Sequence, residues 1–163
     1  MSAIGLLFVG GTLLINGVSQ KINISSLPLS IINLLTGSLL LIINCVYMLQ
    51  GEYYIAASGF LFTFTYLIVG ICYAFSLDFK MYGIYALFVA INSVPFALGS
   101  VYLDKDPIFG VIWILWGLLW FSGFVYYVLE INILKYINLG AIFCGIFTTW
   151  LPGMLKIFDL WPY

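Results

Sequence analysis

The tryptophans at positions 113, 116 and 120 are the residues whose types and spacing point most clearly to a site. They are three of the five tryptophans of the chain, and they lie in an uncharged apolar stretch at residues 111–120. Spacings of three and four residues place the three indoles on one face of a helix. Gly117 lies beside this stripe and allows a neighbouring group to approach closely. Such a stripe could contact a flat polar solute through its ring faces and N–H donors.

The composition indicates that this stripe lies in a membrane. Of 163 residues, 64% are hydrophobic and only 7% are charged, whereas soluble domains carry about a quarter charged residues. The net charge of −1 and the absence of a basic patch exclude nucleic-acid binding. The three cysteines lie apart in apolar runs and are interpreted as small buried residues. We therefore predict an integral membrane protein that binds no metal and no cofactor.

Charges and loop residues divide the chain into six apolar segments, each near the ~20 residues that a helix needs to cross a bilayer. The fold class predicted is all-α: a polytopic membrane protein with six transmembrane helices in a single domain, residues 1–163. The first segment lacks the basic start of a signal peptide and is interpreted as a retained span. The predicted spans are approximately 3–19, 28–50, 54–76, 81–103, 107–130 and 136–158.

The distribution of lysines and of similar motifs suggests an orientation and an internal repeat. Lys21, Lys80 and Lys135 would share one side of the membrane, against two lysines on the other, which places the loops after spans 1, 3 and 5 in the cytoplasm and both termini outside. Similar short motifs recur at offsets of 80 and 84 residues. A 3+3 inverted repeat is one interpretation, and chance similarity between apolar segments is the other.

Two aromatic layers are predicted near the middle of the membrane. Phe62 and Tyr66 in the third span, and Trp116 and Trp120 in the fifth, lie about 12 and 18 Å beyond the starts of their helices. Removing water from an amide-like group without replacement costs about 4–8 kcal/mol on a water-to-cyclohexane scale. Ring faces and ring-edge donors would lower that cost for a flat solute. The candidate acceptors for solute N–H groups are other polar groups of the spans: Thr65, Thr148, Thr149, Asn92 and a carbonyl near Pro95.

The absence of charged side chains inside the spans limits the function. Every Asp, Glu and Lys lies in a connection or at the edge of a span, whereas proton relays and ion-coupled carriers place ionisable groups within the membrane. Without histidine, neither a catalytic base nor a metal cluster is evident. Passive movement of a neutral solute is favoured and no enzyme activity is predicted.

Packing is the competing interpretation of the same residues. Aromatic stripes in membrane helices more often pack than line a pore, and Asn16, Asn33, Asn44 and Asn92 could be hydrogen-bonded links between helices. Two other functions also stay open. The protein could be a non-conducting structural subunit of a membrane complex, or an alternating-access carrier for a small neutral solute with Pro95 and Pro152 as hinges.

Four ordered motifs, with Asn16-Gly17, resemble the urea/amide channel family (the UreI/AmiS proteins) over essentially the whole chain. They are LFTFTYL at 61–67, LFVAINSVP at 87–95, WILWGLLW at 113–120 and TWLP at 149–152. The resemblance implies a pore within each protomer of a homo-hexamer that passes urea or small aliphatic amides across a bacterial inner membrane. Its constriction residues would be Phe62, Tyr66, Trp116, Leu119 and Trp120, with Val9 and Leu13 lining the outer end of the path.

The chain departs from this family pattern in two places. Acid-gated members carry a long outer loop and histidines, whereas the second loop here covers only about residues 51–53 and histidine is absent. Conduction independent of pH between about 5 and 8 is therefore predicted, since histidine is the side chain that normally titrates there. Cys144 occupies the position where a glutamate is expected in some members. This departure leaves open whether the sixth span supplies a pore carboxylate, and whether the solute is urea or acetamide.

Overall fold

A computed structural model describes residues 2–163, and this part of the chain is all-helical. Each helix boundary lies within three residues of its predicted position, so the six-helix prediction is confirmed. Five helices are long and apolar enough to cross a membrane; α1, with 16 residues, is shorter. The helices are α1 (Ala3–Val18), α2 (Ser26–Leu49), α3 (Tyr53–Phe75), α4 (Lys80–Tyr102), α5 (Pro107–Tyr127) and α6 (Leu134–Ile157).

Local sequence explains where the helices begin. The Ser2 hydroxyl accepts a hydrogen bond of 2.9 Å from the Gly5 amide at the start of α1. The Asp106 carboxylate likewise accepts one of 2.8 Å from the Phe109 amide, and Pro107 opens α5 with its φ already helical. These caps satisfy backbone donors that a helix leaves unpaired at its first turn. The cap at Asp106 fixes the start of the helix that carries the tryptophan stripe.

The chain contacts divide the protein into two compact units. The first takes in the chain up to Asp78 together with Ala141–Trp161, and the second takes in Phe79–Gly140 and Pro162–Tyr163. The single-domain organisation and the internal repeat stay predictions. Each unit has its own packing.

Buried polar pairs link the helices of the first unit. Thr12 of α1 and Thr36 of α2 share a hydrogen bond of 2.6 Å between their hydroxyls. Further along the same two helices, the Asn16 and Asn33 side-chain amides form a reciprocal pair at 3.0 and 2.9 Å. The Asn44 amide of α2 donates to the Thr63 hydroxyl of α3 at 3.0 Å. The packing interpretation of these three asparagines is therefore confirmed.

Glycines bring the backbones of the first unit close together. A Cβ added at Gly10 of α1 would lie 2.8 Å from both the Gly145 carbonyl oxygen and the Trp150 amide nitrogen of α6. This contact falls on Cys144–Trp150, where α6 is π-helical. Pro152 lies just beyond this segment and lacks an N–H for the helical ladder.

Aromatic rings and small residues pack the second unit. Where α4 begins and α5 ends, Phe79 and Tyr127 stack at 5.1 Å between ring centroids, and Tyr82 meets the Tyr127 ring edge-on at 5.6 Å. In the same region Lys80 and Glu130 form an ion pair of 2.8 Å between exposed side chains. Such an exposed pair contributes little, about 0–1 kcal/mol. The α4–α5 pair therefore depends mainly on its apolar contacts.

Candidate solute pathway

The three tryptophans of α5 lie on its buried side, as their spacing predicts. Trp113 and Trp116 are each 2% exposed and Trp120 is 6% exposed. On the opposite side of the same helix, Ile114 and Leu118 are 42% and 61% exposed. The indoles are therefore turned into the protein and away from its surroundings.

Two phenylalanines that the sequence reasoning missed extend this aromatic stripe. Phe96 of α4 stacks on Trp113 with 5.0 Å between centroids, and Phe109 meets Trp116 edge-on at 5.6 Å. Trp113 and Trp116 themselves are perpendicular, 5.1 Å apart. Phe109 lies four residues before Trp113, so continuing the same three- and four-residue spacing would have identified it. Packing is thus the evident role of Trp113, whereas Trp116 and Trp120 lie further along the stripe.

The close approach predicted at Gly117 is made by Ser93 of α4. A Cβ at Gly117 would collide with the Ser93 hydroxyl and would lie 3.0 Å from the Ser93 Cβ. Ser93 is 2% exposed and donates to the Ala90 carbonyl of its own helix at 2.6 Å. This contact fixes the relative depth of the two helices, since Ser93 stands opposite a residue between Trp116 and Trp120.

Leu119 and Asn92 are the other predicted site residues of the second unit. Leu119 is half-buried, and its Cδ1 lies 3.2 Å from where a Cβ of Gly140 would stand. Asn92 is also half-buried, and its amide nitrogen donates to the Phe88 carbonyl of its own helix at 2.8 Å. Unlike the three asparagines of the first unit, Asn92 makes no described hydrogen bond to another helix.

Phe62 and Tyr66 are buried in the first unit, at 2% and 3% exposure. They are one helical turn apart on α3. Neighbouring positions of α3 make the contact with α2. The Thr63 hydroxyl accepts a hydrogen bond from the Asn44 amide. A Cβ added at Gly70 would lie 2.7 Å from the Leu34 Cγ. The two aromatic side chains thus occupy a stripe that adjoins the α2 contact, rather than the centre of that contact.

The remaining predicted residues of the first unit lie on α1 and α6. Val9 is fully buried, and the Cβ of half-buried Leu13 lies 3.2 Å from where a Cβ of Gly145 would stand. Thr149 is fully buried and donates to the Cys144 and Gly145 carbonyls at 3.0 and 2.8 Å. Leu13 and Thr149 therefore both contribute to the contacts of the π-helical segment.

The other predicted acceptors also have partners on their own helices. The Thr65 hydroxyl donates to the Leu61 carbonyl at 2.8 Å, and the Thr148 hydroxyl donates to the Cys144 carbonyl at 2.7 Å. Cys144, at the position where a glutamate was considered, is 4% exposed. The Cys144 backbone carbonyl accepts hydrogen bonds from the hydroxyls of both Thr148 and Thr149.

Charged and metal-ligating groups contribute nothing to these clusters. Within residues 2–163, no group of three or more His, Cys, Asp or Glu side chains could hold a metal ion. Among the lysines of the helices, Lys80 begins α4, while Lys135 and Lys156 lie one residue from the two ends of α6. The helix interiors therefore present only neutral side chains.

Comparison with known proteins places the chain in a family. The model of the AmiS/UreI family of transporters matches residues 1–160. The chain belongs to this family. The acid-activated urea channel of Helicobacter pylori is 32% identical, over 99% of this chain and all of that protein. A putative amidate substrates transporter protein of Mycolicibacterium smegmatis is 34% identical, over 99% of this chain and 78% of that protein.

Solved structures agree with this membership. The cryo-EM structure of the Helicobacter pylori urea channel in its closed state matches with a TM-score of 0.92 and 33% identity, covering 99% of this chain and all of that one. The crystal structure of the urea channel from the same organism matches with a TM-score of 0.90, at 34% identity and 99% of both chains. The chain is thus a multi-pass membrane protein with the fold of this transporter family.

One difference from the Helicobacter relative concerns length. The sequence alignment spans 194 positions, more than the 163 residues of this chain, so the relative carries segments that are absent here. In this chain α2 ends at Leu49 and α3 begins at Tyr53, which leaves the second connection only three residues. The short second loop predicted from the sequence is confirmed.

Proposed function

We propose that this protein is a passive channel for urea or small aliphatic amides, not gated by pH, in a bacterial cytoplasmic membrane. The observation that carries the proposal is the buried aromatic stripe of α5 in a chain that belongs to a transporter family. The named relatives include a urea channel and a transporter of amidate substrates. Urea and short amides are flat, neutral and small, which suits walls made of aromatic ring faces.

The residues proposed to line the path are those that the family resemblance and the polar groups of the spans indicate. Phe62, Tyr66, Trp116, Leu119 and Trp120 form the narrow part, Val9 and Leu13 the outer end, and Thr149 and Asn92 supply polar contacts. All four aromatic members are less than a tenth exposed, so solvent reaches little of their surface. A permeant that sheds its water against ring faces recovers part of the desolvation cost of its amide groups.

Passive movement without catalysis follows from the groups available. No Asp, Glu or Lys lies in the interior of a helix within the described residues, so a proton or ion would find no relay to couple its movement to the solute. The same lack leaves no acid–base pair for hydrolysis of an amide. We propose that the protein is not an enzyme and needs no cofactor.

Assembly and orientation are further parts of the proposal. A homo-hexamer in the lipid bilayer, with one path in each protomer, is what the family resemblance implies. Both termini lie outside, because three of the five lysines fall near the loops after α1, α3 and α5 and cytoplasmic loops carry the excess of lysine. Cysteine accessibility to an impermeant thiol reagent, with single cysteines in those loops, would test the orientation.

Stopped-flow light scattering on proteoliposomes tests the function. Vesicles with the protein should take up urea or acetamide faster than protein-free vesicles, with an initial rate that stays linear up to hundreds of millimolar solute. A saturating rate would favour the alternating-access carrier, since a carrier must cycle through conformational changes. A rate equal to that of bare lipid would favour the structural subunit.

Independence from pH is a separate expectation of the same proposal. The chain contains no histidine, the residue whose charge normally changes between pH 5 and 8. Uptake measured at pH 5 and at pH 8 should therefore agree within about twofold. A several-fold difference would show that another group gates the path.

A further inference from the structure

Asn92 differs from every other asparagine whose contacts have been described. Asn16 and Asn33 satisfy each other, and the Asn44 amide donates to Thr63. The Asn92 side chain makes one hydrogen bond, from its amide nitrogen to the Phe88 carbonyl. Its second amide hydrogen and its carbonyl oxygen have no partner among residues 2–163, and the side chain is only half-buried.

This partly paired side-chain amide lies in the middle of a membrane-spanning helix. Asn92 is twelve residues beyond Lys80, the first residue of α4, which places it about 18 Å from that end at 1.5 Å per residue. Lipid tails at this depth offer no hydrogen bonds, so polar side chains here normally face a partner or a solute. The position therefore requires something to meet the free donor and acceptor.

Asn92 lies on the same face of α4 as a residue that contacts the aromatic stripe of α5. Phe96, one turn further along α4, stacks on Trp113 of α5. The opposite side of the α4–α5 pair is an apolar groove of about 330 Å³, lined among others by Ile91, Val94 and Leu118. Asn92 does not line that groove. The amide thus lies on the tryptophan side of the pair.

The depth of Asn92 also agrees with that of the proposed constriction. Its neighbour Ser93 stands against Gly117, which lies between Trp116 and Trp120 in the sequence. Within the second unit, Asn92 therefore lies level with the two tryptophans proposed to contact the solute. Of the four side chains considered as acceptors, Thr65, Thr148 and Thr149 all donate to carbonyls of their own helix and are buried.

We infer that Asn92 is the specificity-determining polar contact of the path. Its carbonyl oxygen accepts a hydrogen bond from a permeant N–H group, and its free amide hydrogen donates to the permeant carbonyl. A primary amide or urea matches both groups at once, whereas an apolar solute of the same size leaves both unpaired. This inference rests on the proposed function, because it assigns the contact to a solute that the channel passes.

Substitution of Asn92, with a control on the other face of α4, tests the inference. Asn92→Leu keeps the approximate size but removes both polar groups, and Asn92→Thr keeps an acceptor. Urea permeability per folded protein should fall about tenfold in the leucine variant, which corresponds to ~1.4 kcal/mol. The threonine variant should stay within about threefold of wild type. Ile91→Ala, which alters only the apolar groove, should conduct urea at the wild-type rate.

Water permeability of the same vesicles separates a solute contact from a structural effect. If Asn92 only positions α4, urea and water permeability should fall together in the leucine variant, and the inference is wrong. If Asn92 contacts the amide, urea permeability should fall several-fold further than water permeability. Gel filtration in detergent establishes that each variant is folded, and Asn92→Ala, which also removes both polar groups, replaces the leucine variant if that variant does not fold.

The two levels of proposal fail in different ways. A wild-type protein that passes neither urea nor acetamide above the lipid background overturns the channel function, and with it the role of Asn92. A wild-type protein that conducts urea, with a folded Asn92→Leu variant that conducts it equally well, overturns the role of Asn92 alone.

Discussion

The two compact units hold their helices together by different means. In the first, side-chain hydrogen bonds cross from helix to helix at three levels, between Thr12 and Thr36, between Asn16 and Asn33, and between Asn44 and Thr63. In the second, the hydrogen bonds of Asn92, Ser93 and Ser122 return to carbonyls of their own helices. Rings such as Phe96 and Trp113 make the contact between helices instead.

Under our proposal, one residue type serves two purposes in the same membrane protein. Hydrogen bonds between helices fix the register of α1, α2 and α3 because each pair fits only one relative position. Their polar groups are thereby used up and are not available to a solute. Ring packing leaves the polar group of Asn92 available. The location of a free amide, rather than the count of asparagines, therefore distinguishes a candidate site from a packing contact.

The largest loss of stability should come from removing an aromatic ring of the second unit. Trp113→Ala removes the stack on Phe96 and leaves a cavity, so we expect a loss of about 3 kcal/mol, at the lower end for such truncations because lipid rather than water is the reference. Unfolding in mixed detergent micelles, followed by circular dichroism, measures it. Trp113→Phe, which keeps a ring, should lose less than half as much. Equal losses for both variants would show that the stack contributes little.

Close approach of backbones should matter most in the first unit, where two adjacent glycines provide a matched pair. Gly10→Ala places a methyl group 2.8 Å from the backbone of α6, so overpacking should cost about 1–3 kcal/mol. A Cβ at Gly11 would meet nothing within 4 Å, so Gly11→Ala should be neutral or stabilising by up to about 1 kcal/mol. The thermal midpoint in detergent should fall for Gly10→Ala and should stay unchanged or rise for Gly11→Ala, and similar falls for both would contradict the close contact with α6.

The amide pair of the first unit should give the smallest effect of the three. A double-mutant cycle with Asn16→Leu and Asn33→Leu measures the coupling free energy, which we expect at about 0.5–1.5 kcal/mol. Each single substitution leaves one amide unpaired. The two single substitutions together should therefore cost more stability than the double substitution. A coupling energy near zero would mean that the two amides bond to other groups in solution.

The sequence predicts the helices and the stripe well because both depend on local patterns. Charges and loop residues mark the helix ends, and the spacing of Trp113, Trp116 and Trp120 sets their common face whatever packs against it. The π-helical segment at Cys144–Trp150 was not predicted, because it depends on the contact of Gly145 with α1 and on threonine hydroxyls that bond local carbonyls. The contact with α1 joins residues far apart in the chain.

The predicted polar contacts show the same limit. Asn92 was predicted as an acceptor for the solute, but it also shared the packing interpretation of Asn16, Asn33 and Asn44, and residue type and span position could not decide between the two roles. Likewise, Gly117 indicated that some group approaches closely, but only the structure identifies Ser93. Which polar groups are left unpaired depends on the pairing of whole helices, and that information is not contained in a local pattern.

The initial rate of urea uptake by vesicles containing Trp120→Ala, against wild type and Ile114→Ala, tests the proposed path most directly. Trp120 belongs to the buried stripe, while Ile114 is 42% exposed on the other side of α5. We predict that Trp120→Ala stays folded and changes the urea rate at least several-fold, while Ile114→Ala leaves it unchanged. A folded Trp120→Ala protein with the wild-type urea rate would contradict the proposal that these aromatic residues line the path of the solute.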